Sequence, residues 1–269
     1  MQSSVITGAS SGLGKATAKY FAERNWKVAA TMRTPEKETE LTEIDHVSLY
    51  QLDVSDPASI ANAAKQIISD FGRADALLNN AGYGSYGILE ATPEGKIRRQ
   101  FDVNVIGLLL VTQAFLPTMR ENGTGVIVNV SSVGGKVAFP LGTLYHGSKW
   151  AVEGLSEALS FELATVGITV KIVEPGGVKT NFGMTSFDLN IEGSPEAYAP
   201  FVEKFVAAVE ATDVPSEASD IAEVIYGAVT DGTDQLRYIA APDAEQLIGA
   251  RKQMDDADFF GLIKQQLGL

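Results

Sequence analysis

The sequence predicts an α/β chain: a single domain built on a doubly wound parallel sheet of about seven strands. Three observations predict it. Short apolar runs rich in β-branched residues alternate with longer stretches of helical period. The runs are nearly continuous in hydrophobicity, as in V-I-V-N-V at 126–130, which suits strands covered by helices on both faces. The length of 269 residues, 45% hydrophobic, supplies one large core without calling for a second domain. In order, the strands are expected at Ser3 to Ile6, Lys27 to Met32, Val47 to Leu52, Ala76 to Leu78, Val126 to Val130, Ile168 to Val173 and Leu236 to Ala240. Residues 1–180 form the expected cofactor-binding part. A substrate-covering loop and helix occupy about 181–215, and a helical C-terminal segment about 243–269.

Composition removes several classes of function. With 34 acidic residues against 21 lysines and arginines, the net charge of −13 repels nucleic acid. There is no cysteine, and the two histidines, His46 and His146, stand far apart, so neither a disulfide framework nor a metal site is expected. No apolar run approaches the roughly 18 residues of a membrane span. A cytoplasmic protein acting on a small molecule is the expectation.

Ligands of such sheets lie at the carboxyl ends of the strands, and the residues there are informative. After the first strand comes T-G-A-S-S-G-L-G-K-A, leading into a helix. Gly8, Gly12 and Gly14 permit a tight turn that brings an anionic group to the helix N-terminus, with Ser10, Ser11 and Leu13 completing the cradle. A P-loop would need glycine at Ala9 and a hydroxyl at Ala16, so a dinucleotide-type turn remains. An NAD-selective site would carry an acid at the end of the second strand. Here stands Thr31-Met32-Arg33-Thr34, and Arg33 is placed to pair with a 2′-phosphate, predicting NADP(H) over NAD(H).

The sequence Y-H-G-S-K opens a long helical stretch, and its four-residue spacing puts Tyr145 and Lys149 on one helix face. A free phenol titrates near pH 10, and a neighbouring cation favours its phenolate. Ser132 lies thirteen residues earlier, just past the fifth strand, where its hydroxyl can hold a substrate oxygen. His146 is expected to be an exposed helix residue. Taken singly, each of these residues has a structural explanation; together, at these spacings, they form a pattern.

That pattern, with N-N-A-G at 79–82, resembles the short-chain dehydrogenase/reductase family, in motif style nearest the hydroxysteroid/retinol dehydrogenase-like and bacterial ketoreductase members. The resemblance implies a Rossmann-type fold and hydride transfer between a nicotinamide cofactor and a carbonyl or alcohol. It implies a tetrad of Asn104, Ser132, Tyr145 and Lys149, the asparagine positioning a relay water. Asp53 and Val54 would bind adenine, and Asn80, Ala81 and Gly82 would flank the adenosine ribose. Lys149 would also hold the nicotinamide ribose, while Pro175, Gly176, Val178 and Thr180 cup the nicotinamide. The substrate is expected to be hydrophobic, covered by Phe182, Met184, Phe187, Leu189, Ile191, Tyr198 and Phe201, with Tyr83, Tyr86 and Phe139 near the strand ends. A homodimer or homotetramer would form through the helices carrying Asn104 and Tyr145. Two alternatives stand beside this reading: a non-catalytic NADP(H)-binding sensor, and a carrier-bound 3-ketoacyl reductase.

Overall fold

The computed structural model describes residues 1–179, 187–211 and 216–268. In chain order the strands are β1 (Ser3–Ile6), β2 (Lys27–Met32), β3 (Val47–Gln51), β4 (Ala76–Asn79), β5 (Gly84–Gly87), β6 (Gly125–Val130), β7 (Ile168–Pro175), β8 (Val178–Lys179), β9 (Phe187–Asn190), β10 (Ser216–Glu217) and β11 (Arg237–Ala240). The helices are α1 (Gly12–Ala22), α2 (Pro57–Phe71), α3 (Glu94–Phe101), α4 (Leu108–Asn122), α5 (Thr143–Ala164), α6 (Ala199–Glu210), α7 (Ala218–Thr230), α8 (Pro242–Gln253) and α9 (Asp256–Gln266). Between α3 and α4 the helix widens into a π turn, Asp102–Gly107.

Seven strands form one parallel sheet in the order β11-β7-β6-β4-β1-β2-β3. The chain leaves β1 toward β2 and β3, then crosses back to β4, so the connections diverge between β1 and β4 and open a crevice at their carboxyl ends. Alternate residues of each strand enter two separate apolar layers. Ile6, Val28, Ala30, Leu78 and Val128 pack with Phe21, Trp26, Ile221 and Ile225 on one face. Val5, Ala29, Leu77, Ile127 and Val170 pack with Ile60, Ile67, Val111, Phe115, Met119 and Leu163 on the other. Each fully buried large side chain contributes about 1.5–3 kcal/mol, which is why nearly unbroken apolar strands are selected here.

The expected strands agree with the sheet to within two residues at each end. Helix α2 starts as its sequence dictates, with Pro57 in the first turn and Asp56 Oδ1 accepting from Ala58 N at 2.9 Å. Two small pairings were not foreseen: β5 runs parallel to β9, and β8 to β10. The expected covering loop therefore contains a strand at 187–190. It is held by Asn190 Nδ2, which donates to Ser85 Oγ at 2.8 Å and Tyr86 O at 3.1 Å. Residues 94–122, helical throughout, are long and apolar enough to cross a membrane by length and composition. Val111, Phe115 and Met119 are nevertheless fully buried against the sheet, and the segment is a core helix.

Candidate active site

The glycine turn is fixed from below by a threonine and an asparagine. Thr7 Oγ1 accepts from the amides of Asn80 and Ala81, both at 3.0 Å, and donates to Leu78 O at 3.3 Å. Asn80 Nδ2 donates to Thr7 O at 2.9 Å and Gly8 O at 3.2 Å, tying the ends of β1 and β4 together. The turn has no room for side chains: a Cβ on Gly8 would stand 2.8 Å from Ala81 Cα, and one on Gly14 2.3 Å from Gly8 O. Gly8 and Gly12 also take positive φ, 69° and 53°. The N-cap Ser11 makes no side-chain capping bond among the described residues, so no hydroxyl covers the first amides of α1.

Above this turn lies a continuous cavity of about 530 Å³. Apart from Asn104, packed just behind it, and Thr180, outside the described residues, every candidate site residue lines it. Among the described lining residues, three cations (Arg33, Arg99 and Lys149) face one carboxylate, Asp53. In a chain of net charge −13, this favours an anionic ligand bearing several phosphates. Burial pushes the Asp53 carboxyl up, but hydrogen bonds from Ser55 N at 2.9 Å and Ser55 Oγ at 2.6 Å, with the charges of Arg33 and Arg99, hold it below the ordinary range.

At the other end of the cavity, Ser132, Tyr145 and Lys149 converge. Ser132 Oγ accepts from Gly134 N at 3.0 Å and hydrogen-bonds the Tyr145 hydroxyl. Lys149 Nζ donates to Val130 O at 2.9 Å and lies 5.8 Å from the Tyr145 ring centre. Burial drives the lysine down to about 8, against the pull of Glu153. Burial also drives the tyrosine up, partly offset by Ser132. The depression of the phenol expected from the four-residue spacing is therefore outweighed in this arrangement, where the ammonium is turned to a backbone carbonyl.

The short chain dehydrogenase family model matches residues 2–189. An uncharacterized oxidoreductase of Schizosaccharomyces pombe is 40% identical over 88% of this chain and 100% of its own length. A 3-ketodihydrosphingosine reductase of Bacteroides thetaiotaomicron is 40% identical (72% and 71% covered), and human 17-beta-hydroxysteroid dehydrogenase type 1 is 33% identical (94% and 80%). The chain belongs to the short-chain dehydrogenases. A solved short-chain dehydrogenase from Streptomyces avermitilis superposes with a TM-score of 0.86 at 33% identity, covering 99% of this chain and 98% of that one. Two further structures carry nicotinamide cofactors. ElxO with NADP bound has a TM-score of 0.74 at 26% identity, covering 94% and 99%. A Burkholderia phymatum member with NAD has 0.77 at 25%, covering 94% and 93%.

In this short-chain dehydrogenase both amide hydrogens of Asn104 and one lone pair of its amide oxygen are engaged. Its Oδ1 accepts from Tyr83 N at 2.8 Å, and its Nδ2 donates to Tyr83 O at 2.9 Å and Ser148 Oγ at 3.0 Å. Both amide hydrogens are committed, so a relay water would have to be held by its oxygens. Gln100 grips the same segment, accepting from Ser85 N at 2.7 Å and donating to Tyr83 O at 2.7 Å and Ser148 Oγ at 3.1 Å. Ser148 Oγ donates to Tyr145 O at 2.7 Å, so one saturated hydroxyl joins these amides to the helix start.

His146 is not exposed. It is buried, with Nδ1 3.0 Å from Gly134 O, among Tyr86, Phe139 and Tyr145. Gly134 and Gly142 make the room: a Cβ on either would come within 2.7 Å of an imidazole nitrogen. Tyr86 lies over Tyr145 with ring centres 5.3 Å apart, and Phe139 packs with Val137, Phe259 and Ile263, so the C-terminal helix α9 borders this side of the site. Thr7, Arg99, Gln100 and Ser148 were missed by the sequence reading. The signals available were a threonine directly before the glycine turn and polar residues at helical spacing from Asn104. Thr180, Phe182 and Met184 lie outside the described residues, as does the side chain of Phe187.

Proposed function

We propose that this short-chain dehydrogenase transfers hydride between NADP(H) and a carbonyl or secondary-alcohol carbon of a hydrophobic substrate, with Tyr145 as general acid and base. The observation that carries the reading is the single cavity that joins the glycine turn to Ser132, Tyr145 and Lys149. The residues fit a dinucleotide: backbone too close for a Cβ at Gly8 and Gly14, uncovered amides at the start of α1, and cations at both ends. When bound, the nicotinamide supplies or accepts the hydride.

The chain's own residues do the rest. Ser132, its oxygen fixed by Gly134 N, turns its hydroxyl hydrogen from Tyr145 to the substrate oxygen, which it holds beside Tyr145. Tyr145 gives its proton to that oxygen as negative charge develops there. Lys149, anchored on Val130 O, brings a positive charge beside the phenol and would hold the ribose hydroxyls of the cofactor. Arg33, exposed just past the end of β2, where an NAD-selective site would carry an acid, supports the preference for a 2′-phosphate. Tyr86 against Tyr145, Phe139 against the adjoining His146, and Ile88, Leu141 and Phe205 packed behind Tyr86 support a hydrophobic substrate. The named relatives, a ketosphingoid reductase and a hydroxysteroid dehydrogenase, point the same way. A homo-oligomer is proposed through α5 and the π turn, which expose Trp150, Phe161 and Ile106.

The test is loss of NADPH absorbance with a panel of apolar ketones and aldehydes, beside NADH and the variants Tyr145→Phe and Arg33→Ala. The expected result is NADPH-preferring turnover, abolished in the first variant and shifted toward NADH in the second. Substantial turnover by Tyr145→Phe would refute the assignment of the proton donor.

A further inference from the structure

Behind Lys149 lies a buried acidic cluster that the proposed chemistry does not use. Glu153, one helical turn below the lysine on α5, and Glu174, at the end of β7, are both buried, and their carboxyls are within hydrogen-bonding range of each other. Arg237 bridges them from β11, with Nε 2.9 Å from Glu153 Oε2 and 3.6 Å from Glu174 Oε1. The same guanidinium reaches Glu157 at 2.6 Å, and Lys136 Nζ approaches Glu153 at 4.0 Å. From the start of α8, Asp243 faces the loop after Glu174, accepting from Gly177 N at 2.7 Å. Just past β6, Ser131 lies alongside β7, its amide donating to Val173 O at 2.8 Å.

One feature of this cluster does not balance if every acid is ionised. Glu153 Oε1 and Glu174 Oε1 are buried without a hydrogen-bond donor among the described residues. One proton between the two buried carboxyls supplies the missing donor.

We propose that Glu153 and Glu174 hold one proton between them as a positioning pair behind Lys149, so that its release adds negative charge one helical turn from the lysine. The inference rests on the reading of Lys149 as partner of Tyr145. Burial first, and then the charge of Glu153, push Glu174 well above the ordinary carboxylate range, against Lys136 and Arg237. Burial alone would release the lysine's proton early. The pair opposes this, because as pH rises its own proton leaves and the new charge holds the ammonium in place.

The experiment follows the glutamate carboxyl carbons by ¹³C NMR across the pH range in wild type, Glu174→Gln and Glu153→Gln, beside kcat against pH with NADPH and the best ketone of the panel. In wild type one glutamate should titrate at least about one unit above the usual value near 4.3. That transition should vanish in Glu174→Gln, whose amide keeps a donor in place and the fold intact. In Glu153→Gln the alkaline limb of kcat should move to lower pH. Ordinary titration of every glutamate in wild type would overturn the shared proton. An unmoved alkaline limb would overturn the link to Lys149. Retained turnover in Tyr145→Phe would instead sink the reading beneath it, with the glutamate titrations unchanged.

Discussion

Replacing Asn104 by alanine separates a scaffold role from a chemical one. The side chain makes three buried hydrogen bonds, two to the backbone of Tyr83 and one to Ser148. At about 1 kcal/mol net each, their loss costs about 3 kcal/mol, and more if the amide of Tyr83 is left unpaired. With a urea slope of about 3 kcal/mol per molar, the unfolding midpoint should fall by about 1 M. Gln100→Ala is the matched control. It removes three bonds to the same segment, to Ser85 N, Tyr83 O and Ser148 Oγ, and should cost a similar amount. If Asn104 acts by shaping the Tyr83 segment and the helix start, the two variants lose stability and turnover in parallel. An unchanged midpoint with abolished turnover in Asn104→Ala would refute this, and would place the asparagine in the proton relay itself.

Gly14→Ala places a methyl group 2.3 Å from Gly8 O and 2.5 Å from Asn80 Nδ2, so the clamp between β1 and β4 must open; NADPH titration should show affinity reduced at least about 10-fold, with stability lower by about 1–3 kcal/mol. For Lys149, a folded value of about 8 lies below the unfolded one near 10.4, so between them the unfolded chain binds more protons and stability rises with pH. Denaturant titrations should show wild type gaining up to about 3 kcal/mol over that interval relative to Lys149→Met, and turnover in the reductive direction should fall as pH rises through about 8. Trp150 and Phe161, eleven residues apart on one face of α5, are 50% and 74% exposed; sedimentation of a Trp150→Glu, Phe161→Glu variant should show a smaller species than wild type.

What could be read from the sequence was whatever depends on near neighbours and on burial. The sheet strands were legible because both faces are covered, which forces unbroken apolar runs whatever their partners. The cavity-lining residues were legible because parallel strands deliver their next residues to one edge. Strand β5 was not, since G-S-Y-G carries no strand pattern and is held by Asn190, more than a hundred residues on. His146 was misplaced because helical spacing reports which face a residue occupies but not what packs on it, and here Gly134 and Gly142 admit the ring beneath Tyr86 and Phe139. The same limit applies more strongly to charge. Glu153, Glu174 and Arg237 each pass for solvated residues in sequence, and only their convergence turns three ordinary side chains into a buried cluster that cannot hold all its charges. The lysine motif specifies where Lys149 points. Whether it is charged at the working pH depends on an acid one turn along its own helix and on another from the strand beneath it, and a motif of five residues cannot encode that dependence.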